Sequence, residues 1–191
     1  MIWKLFSEEE FKSSIFKCNN LLTSRPDKLS WRYLKKIVKD IACLRKLINI
    51  ANVYIKLGHW PLHFKVSTSI IIPKSNKKLY NSLKAFKPII LLNTIGKLIE
   101  KIISKRLQFQ LISKNFIHPC QLGSLKQYST MNTGIVLTYF IYTGWIRNTL
   151  TNTLAFNITQ FFPSLNYQLL PHILNKIRFN PKVFVFFMIT L

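Results

Sequence analysis

The stretch FKPIILLNTIGKLIEK (residues 86–101) decides the fold class, because its apolar period changes halfway along. Residues 88–92 form a short, fully apolar run with the composition of a strand. Asn93 has a side chain that can cap a helix. From Thr94 to Ser113, Ile95, Leu98, Ile99, Ile102, Ile103 and Leu107 recur at intervals of three and four and define one apolar face. Lys97, Glu100, Lys101, Lys105 and Arg106 fall on the polar side. A strand that runs straight into an amphipathic helix belongs to a mixed chain, and the expected class is α+β.

Toward the N-terminus, residues 65–72 (KVSTSIII) are β-branched with partial alternation and read as a second strand, ended by Pro73. Residues 74–87 carry five lysines without a strong period and read as an exposed loop or hairpin. In residues 29–57 the positions Leu34, Ile37, Ile41, Leu44, Ile48, Ala51 and Ile55 make one buried helical face, of two helices or one kinked helix. Asp27 or Ser30 is expected to cap its start, Gly58 to stop it, and Pro61 to prevent a restart. Residues 1–24 are weakly patterned, with Phe6, Phe11, Ile15 and Phe16 as possible contacts.

Toward the C-terminus, residues 114–127 read as a loop, and Ser129 is placed to cap a helix reaching about Trp145. Residues 153–158 (TLAFNI) read as a strand, followed by a turn at Pro163, a helix near 166–177 and an apolar run over 183–191. That run is only nine residues long and resembles a core element cut short. No stretch reaches the length of a membrane span, and no signal-peptide pattern is expected.

Charge is the outlier of the composition. The 191 residues hold 28 Lys and Arg against 6 Asp and Glu, a formal +22. Such self-repulsion points to a polyanionic partner, most simply RNA or DNA. The acids are Glu8, Glu9, Glu10, Asp27, Asp40 and Glu100, and none follows Glu100. That half therefore holds no carboxylate pair for acid–base work, no Mg²⁺ carboxylate cage and no Ser-His-Asp triad. Cys18, Cys43 and Cys120 lack metal or disulfide spacing and are expected to be reduced intracellular thiols, in nucleus or cytoplasm. His59 and His63 have i, i+4 spacing, but Pro61 between them argues against a helical zinc pair, and no metal ligand is assigned.

Five blocks in order resemble the reverse transcriptases of non-LTR (LINE-type) retrotransposons. They are Pro26-Asp27-Lys28-Leu29; Gly58-His59-Trp60-Pro61 with Lys65 and Ile70-Ile71-Ile72-Pro73-Lys74; residues 86–101; His118-Pro119 with Gln121-Leu122-Gly123 and Ser129-Thr130; and Leu154-Ala155-Phe156-Asn157-Ile158 with Phe161-Phe162 and Leu165-Asn166. Single blocks are weak signals, but their order over roughly residues 25–185 is specific. The resemblance implies the fingers and the first part of the palm of a right-hand polymerase, with an incomplete sheet. Residues 1–24 would precede it, 25–150 would be fingers-like, and 151–191 would begin the palm, truncated before the second catalytic motif.

The family's chemistry is an in-line attack on a nucleotide α-phosphate, clamped by two Mg²⁺ ions on carboxylates. Asn157 stands at the first metal-binding Asp position, and an amide brings no charge. The later Asp pair does not occur in these residues. The resemblance thus implies no intact catalytic residue and no cofactor for this chain, against Mg²⁺ in intact members. It assigns nucleotide contacts to Lys74, to Lys87 in place of an arginine, and to Phe162 as an aromatic gate. It assigns template contacts to Gln121, Gly123, Ser129 and Thr130. Asn157, Lys87, Thr159 and Tyr167 each differ from the family residue by one G→A or C→T transition, as expected of a decayed copy.

Two functional readings follow: a degenerate reverse transcriptase fragment with residual, sequence-independent RNA or DNA binding, or a non-catalytic basic nucleic-acid-binding module. In the second, Trp31, Tyr33, Trp60, Tyr80 and Tyr128 are candidate stacking rings beside basic residues. No basic amphipathic helix stands apart from the fold, so a membrane partner is not expected.

Overall fold

The structure, a computed structural model, describes residues 4–20, 26–77, 79–125, 128–158, 161–166 and 168–176. Helices and one small sheet are mixed, as α+β requires. The chain divides into two compact units, Met1–Lys105 with Gln168–Leu191, and Arg106–Tyr167.

In the first unit the N-terminal segment forms a helix, α1 (Glu8–Phe16), where only scattered contacts were expected. Ser7 and Glu10 cap each other's backbone N–H groups, at 3.2 and 3.0 Å, and three glutamates in the first turn complement the helix dipole. Phe6, Phe11 and Ile15 are buried, whereas Phe16 is exposed. Next come α2 (Trp31–Ile37), capped by Ser30, and α3 (Ile41–Leu57), capped by Asp40. The long apolar pattern is thus two helices. At the break between them Ile37 and Ile41 are exposed and Val38 is buried in their place, because the two turns at 38–40 rotate the face. Gly58 ends α3 in the left-handed region, φ 64°. Pro61 does not block a restart: it is the N-cap of the one-turn α4 (Leu62–Lys65), where its missing N–H costs nothing.

Strands β1 (Ser67–Pro73) and β2 (Phe86–Leu92) pair antiparallel, Ser67 opposite Leu92 and Pro73 opposite Phe86. The intervening segment is therefore a hairpin connection, with a short 3₁₀ turn at Leu83–Ala85. Helix α5 (Thr94–Ser113) has the limits its pattern predicts. Leu98, Ile99, Ile102 and Ile103 are buried with Leu34, Leu44, Ile48 and Ala51 in the core of the unit. Lys101 and Lys105, expected on the polar side, reach α1 and the residues just after it: Lys101 Nζ donates to Cys18 Sγ at 3.1 Å and Lys105 Nζ to Ser14 Oγ at 2.7 Å.

In the second unit, α6 (Thr130–Ile146) follows Ser129. Ser129 is its N-cap, as expected, paired with Asn132, whose Oδ1 accepts from both the N–H and the hydroxyl of Ser129, each at 2.8 Å. This helix carries no charge, and its large side chains, among them Tyr139, Phe140 and Trp145, are exposed. Residues 151–158 form no strand, contrary to the reading of TLAFNI; Leu154, Phe156 and Ile158 are exposed. A strand exists only through its ladder, and no strand among the described residues pairs with this one. Pro163 lies within the one-turn helix α7 (Phe161–Ser164), not in a turn; the next helix, α8 (Leu169–Lys176), belongs to the first unit. The apolar run 183–191 lies outside the described residues. Among the described residues no helix is long and apolar enough to cross a membrane.

Candidate nucleic-acid interface

The first three of the five blocks meet at the start of α5, where they do structural work. Thr94, fully buried, donates its N–H to Asp27 Oδ2 at 2.6 Å and its hydroxyl to the Leu29 carbonyl at 2.6 Å. Asp27 also accepts from the Leu29 N–H at 3.1 Å. The helix cap thus comes from 67 residues away. Asn93, expected in that role, turns inward, and its Nδ2 donates to the His63 carbonyl at 2.6 Å. Trp60 and Phe64 stack at 5.2 Å over Gly96, where an added Cβ would lie 3.3 Å from Phe64 Cβ. His63 therefore serves α5 through its backbone. Among the described residues no group of three His, Cys, Asp or Glu is arranged to hold a metal.

The loop end of the β1–β2 hairpin is the basic feature of the first unit. Lys74 follows β1 directly, its N–H bonded to the Ala85 carbonyl at 2.8 Å, and Lys87 pairs with Ile72. Lys74 is thus bonded across the ribbon to Ala85, two residues before Lys87. The structure thus brings Lys74 and Lys87 together. Lys74 Nζ donates to the Lys84 carbonyl at 2.9 Å, which leaves two ammonium N–H groups for other acceptors. Lys77 and Lys84, beside them in the loop, were not singled out from the sequence, and both are exposed. No acid occurs between Asp40 and Glu100, so no carboxylate of this stretch offsets these charges.

Tyr80 sits among these lysines. Its hydroxyl donates to the Lys74 carbonyl at 2.8 Å, and its ring lies 5.9 Å from that of Phe86, tilted by 60°. Burial sorts the candidate rings: Trp31 and Trp60 are core residues, while Tyr33, Tyr80 and Tyr128 are exposed.

The template candidates belong to the second unit. Gln121 takes a turn hydrogen bond from its N–H to the His118 carbonyl, 2.8 Å, and its Nε2 lies 3.4 Å from the Gly123 carbonyl. Gly123 is exposed, and Ser129 and Thr130 form the start of α6. Asn157 lies exposed in the strandless segment 151–158, away from any described acid in sequence. Phe162 lies in α7, and its side chain is outside the described residues.

Two acids elsewhere have perturbed carboxyls. A hydrogen bond from Arg45 at 2.9 Å holds Glu8 below its ordinary 4.5, and the Ala42 N–H, then the Cys43 thiol, holds Asp40 below 3.8. The same contact with Asp40 pushes the Cys43 thiol up. No protein-family model matches this chain, and no curated protein matches it.

Proposed function

We propose that this chain is related to the reverse transcriptases of non-LTR retrotransposons, corresponds to their fingers and first palm segment, and binds RNA or DNA through phosphate contacts without polymerising. The observation that carries the binding reading is the hairpin end, where Lys74, Lys77, Lys84 and Lys87 gather in a stretch with no acid. Several ammonium groups gathered at one ribbon end suit a polyanion better than a single small anion. The +22 of the whole chain steers a polyanion toward it.

The lack of polymerisation rests on the donor set. Two Mg²⁺ ions need carboxylate charge. Asn157 offers a neutral amide, and Glu100 lies 3.5 Å from Lys97. The residues do not fit a two-metal centre, and no step is derived through one.

The alternative, a self-contained binding module, is favoured by the closed apolar core of the first unit. The fragment reading is supported by the exposed apolar side chains of α6 and by a sheet of two strands among the described residues, features that ask for apolar cover. Binding is tested by fluorescence anisotropy with labelled RNA and DNA across a salt series. If all four lysines contact a single strand, log K falls against log salt with a slope of about −3. Binding that ignores salt, or no binding, refutes the proposal. Primer extension with Mg²⁺ should yield no product, and any product refutes the inactive reading.

A further inference from the structure

We infer that the basic end of the hairpin takes single-stranded nucleic acid, with Tyr80 as the platform on which a base stacks. The inference rests on the phosphate-binding reading and deepens it. Tyr80 is held at both ends, by the bond from its hydroxyl to the Lys74 carbonyl and by the Phe86 ring, yet it remains 46% exposed. A ring already fixed in place loses little freedom when a base stacks on it. Exposed Lys74, Lys77, Lys84 and Lys87 lie in the same loop or beside it, Lys74 bonded to Tyr80 through its carbonyl, so a strand whose base stacks on the ring meets ammonium groups along the loop. A duplex presents its phosphates but hides the faces of its bases. Lysines alone would treat both forms alike, whereas lysines around a pinned, half-open ring favour the unpaired strand.

The full chain is titrated by anisotropy with a single-stranded RNA, the matching single-stranded DNA and their duplex, and inorganic polyphosphate is titrated as a competitor. The wild type is expected to bind both single strands about tenfold or more tighter than the duplex. Tyr80→Ala should weaken the single strands by about tenfold or more and leave polyphosphate within about twofold. Tyr80→Leu keeps an apolar contact for Phe86 without a stacking face and should behave as Tyr80→Ala. Tyr80→Phe should rescue the single strands. Lys77→Gln with Lys84→Gln should weaken every ligand alike. The platform is overturned if Tyr80→Leu folds and leaves single-strand binding unchanged, if it weakens polyphosphate equally, or if the wild type holds the duplex as tightly as the single strand. Failure of all four ligands overturns the phosphate-binding reading itself.

Discussion

Replacing Asp27 with alanine should loosen the first unit more than any other removal of a polar side chain there. The substitution takes away the acceptor at 2.6 Å from the Thr94 N–H and the one at 3.1 Å from the Leu29 N–H. Thr94 is fully buried, so water cannot replace the lost partner. An orphaned buried donor costs about 1–3 kcal/mol, and the loss of a negative charge at a helix N-terminus adds about 0.3–1 kcal/mol. The capping loss is the same bond and is not counted twice. The expected total is about 2–3 kcal/mol, a large share of the stability of a small unit. Asp27→Asn keeps one acceptor and loses the charge, and should cost about 1 kcal/mol. Thr94→Val removes the hydroxyl and spares the N–H bond, so its cost should add to that of Asp27→Ala less than fully, since the two share one contact. Urea unfolding at fixed ionic strength supplies the free energies, and hydrogen exchange at the Thr94 amide reports the bond directly. A cost below about 0.5 kcal/mol for Asp27→Ala, with the Thr94 amide still protected, refutes the long-range cap.

Other consequences are as direct. Gly96→Ala should destabilise by about 1 kcal/mol despite the better helix propensity of alanine, because Phe64 Cβ at 3.3 Å is fixed to its backbone. Gly134→Ala on α6 meets nothing within 4 Å and should stabilise by up to about 1 kcal/mol; paired thermal melts showing the same sign for both would contradict the packing. The carboxyls of Glu8 and Asp40 are depressed in the folded chain, so their stabilisation is present above 4.5 and 3.8 and is lost as pH falls through the lower native values. Unfolding midpoints should therefore drop on acidification, and Glu8→Gln should flatten that drop; an unchanged acid limb argues against the Arg45 contact. In thiol labelling, exposed Cys120 should react first, Cys43 should lag because Asp40 raises its thiol, and buried Cys18 should wait for unfolding.

Where local rules govern, the structure was readable from the residues. Helix α5 has a 3.6-residue apolar face over twenty positions, and its limits follow from that period. Gly58 had the conformational freedom its helix end required. The start of α1 carried a readable signal, Ser7 followed by Glu10, but its apolar face is too short for periodicity to reveal. What lay beyond local reading is contact between distant residues. Asp27 looked like a cap for the helix just after it, and only folding gives it Thr94. The β-branched and aromatic content of 153–158 states a preference, and a preference becomes a strand only beside a partner. At the candidate interface, Lys74 and Lys87 were named through family resemblance, but their nearness follows from the pairing of the two strands and the bond from Lys74 to Ala85. Tryptophans and tyrosines near lysines were indistinguishable until burial divided them, since both ring types serve core and surface equally well.

The link between Asp27 and Thr94 also sets a clock for synthesis. The chain leaves the ribosome N-terminus first, and 67 residues separate the two partners. At about 5–20 residues per second, roughly 3–13 seconds pass between them. During that interval Trp31, Leu34 and Leu44 have emerged or are emerging, but α5, whose Leu98, Ile99, Ile102 and Ile103 complete the buried set of the unit, is unfinished. The nascent chain is then at its most attractive to holdase chaperones, and a ribosomal pause placed before Thr94 should lengthen that window.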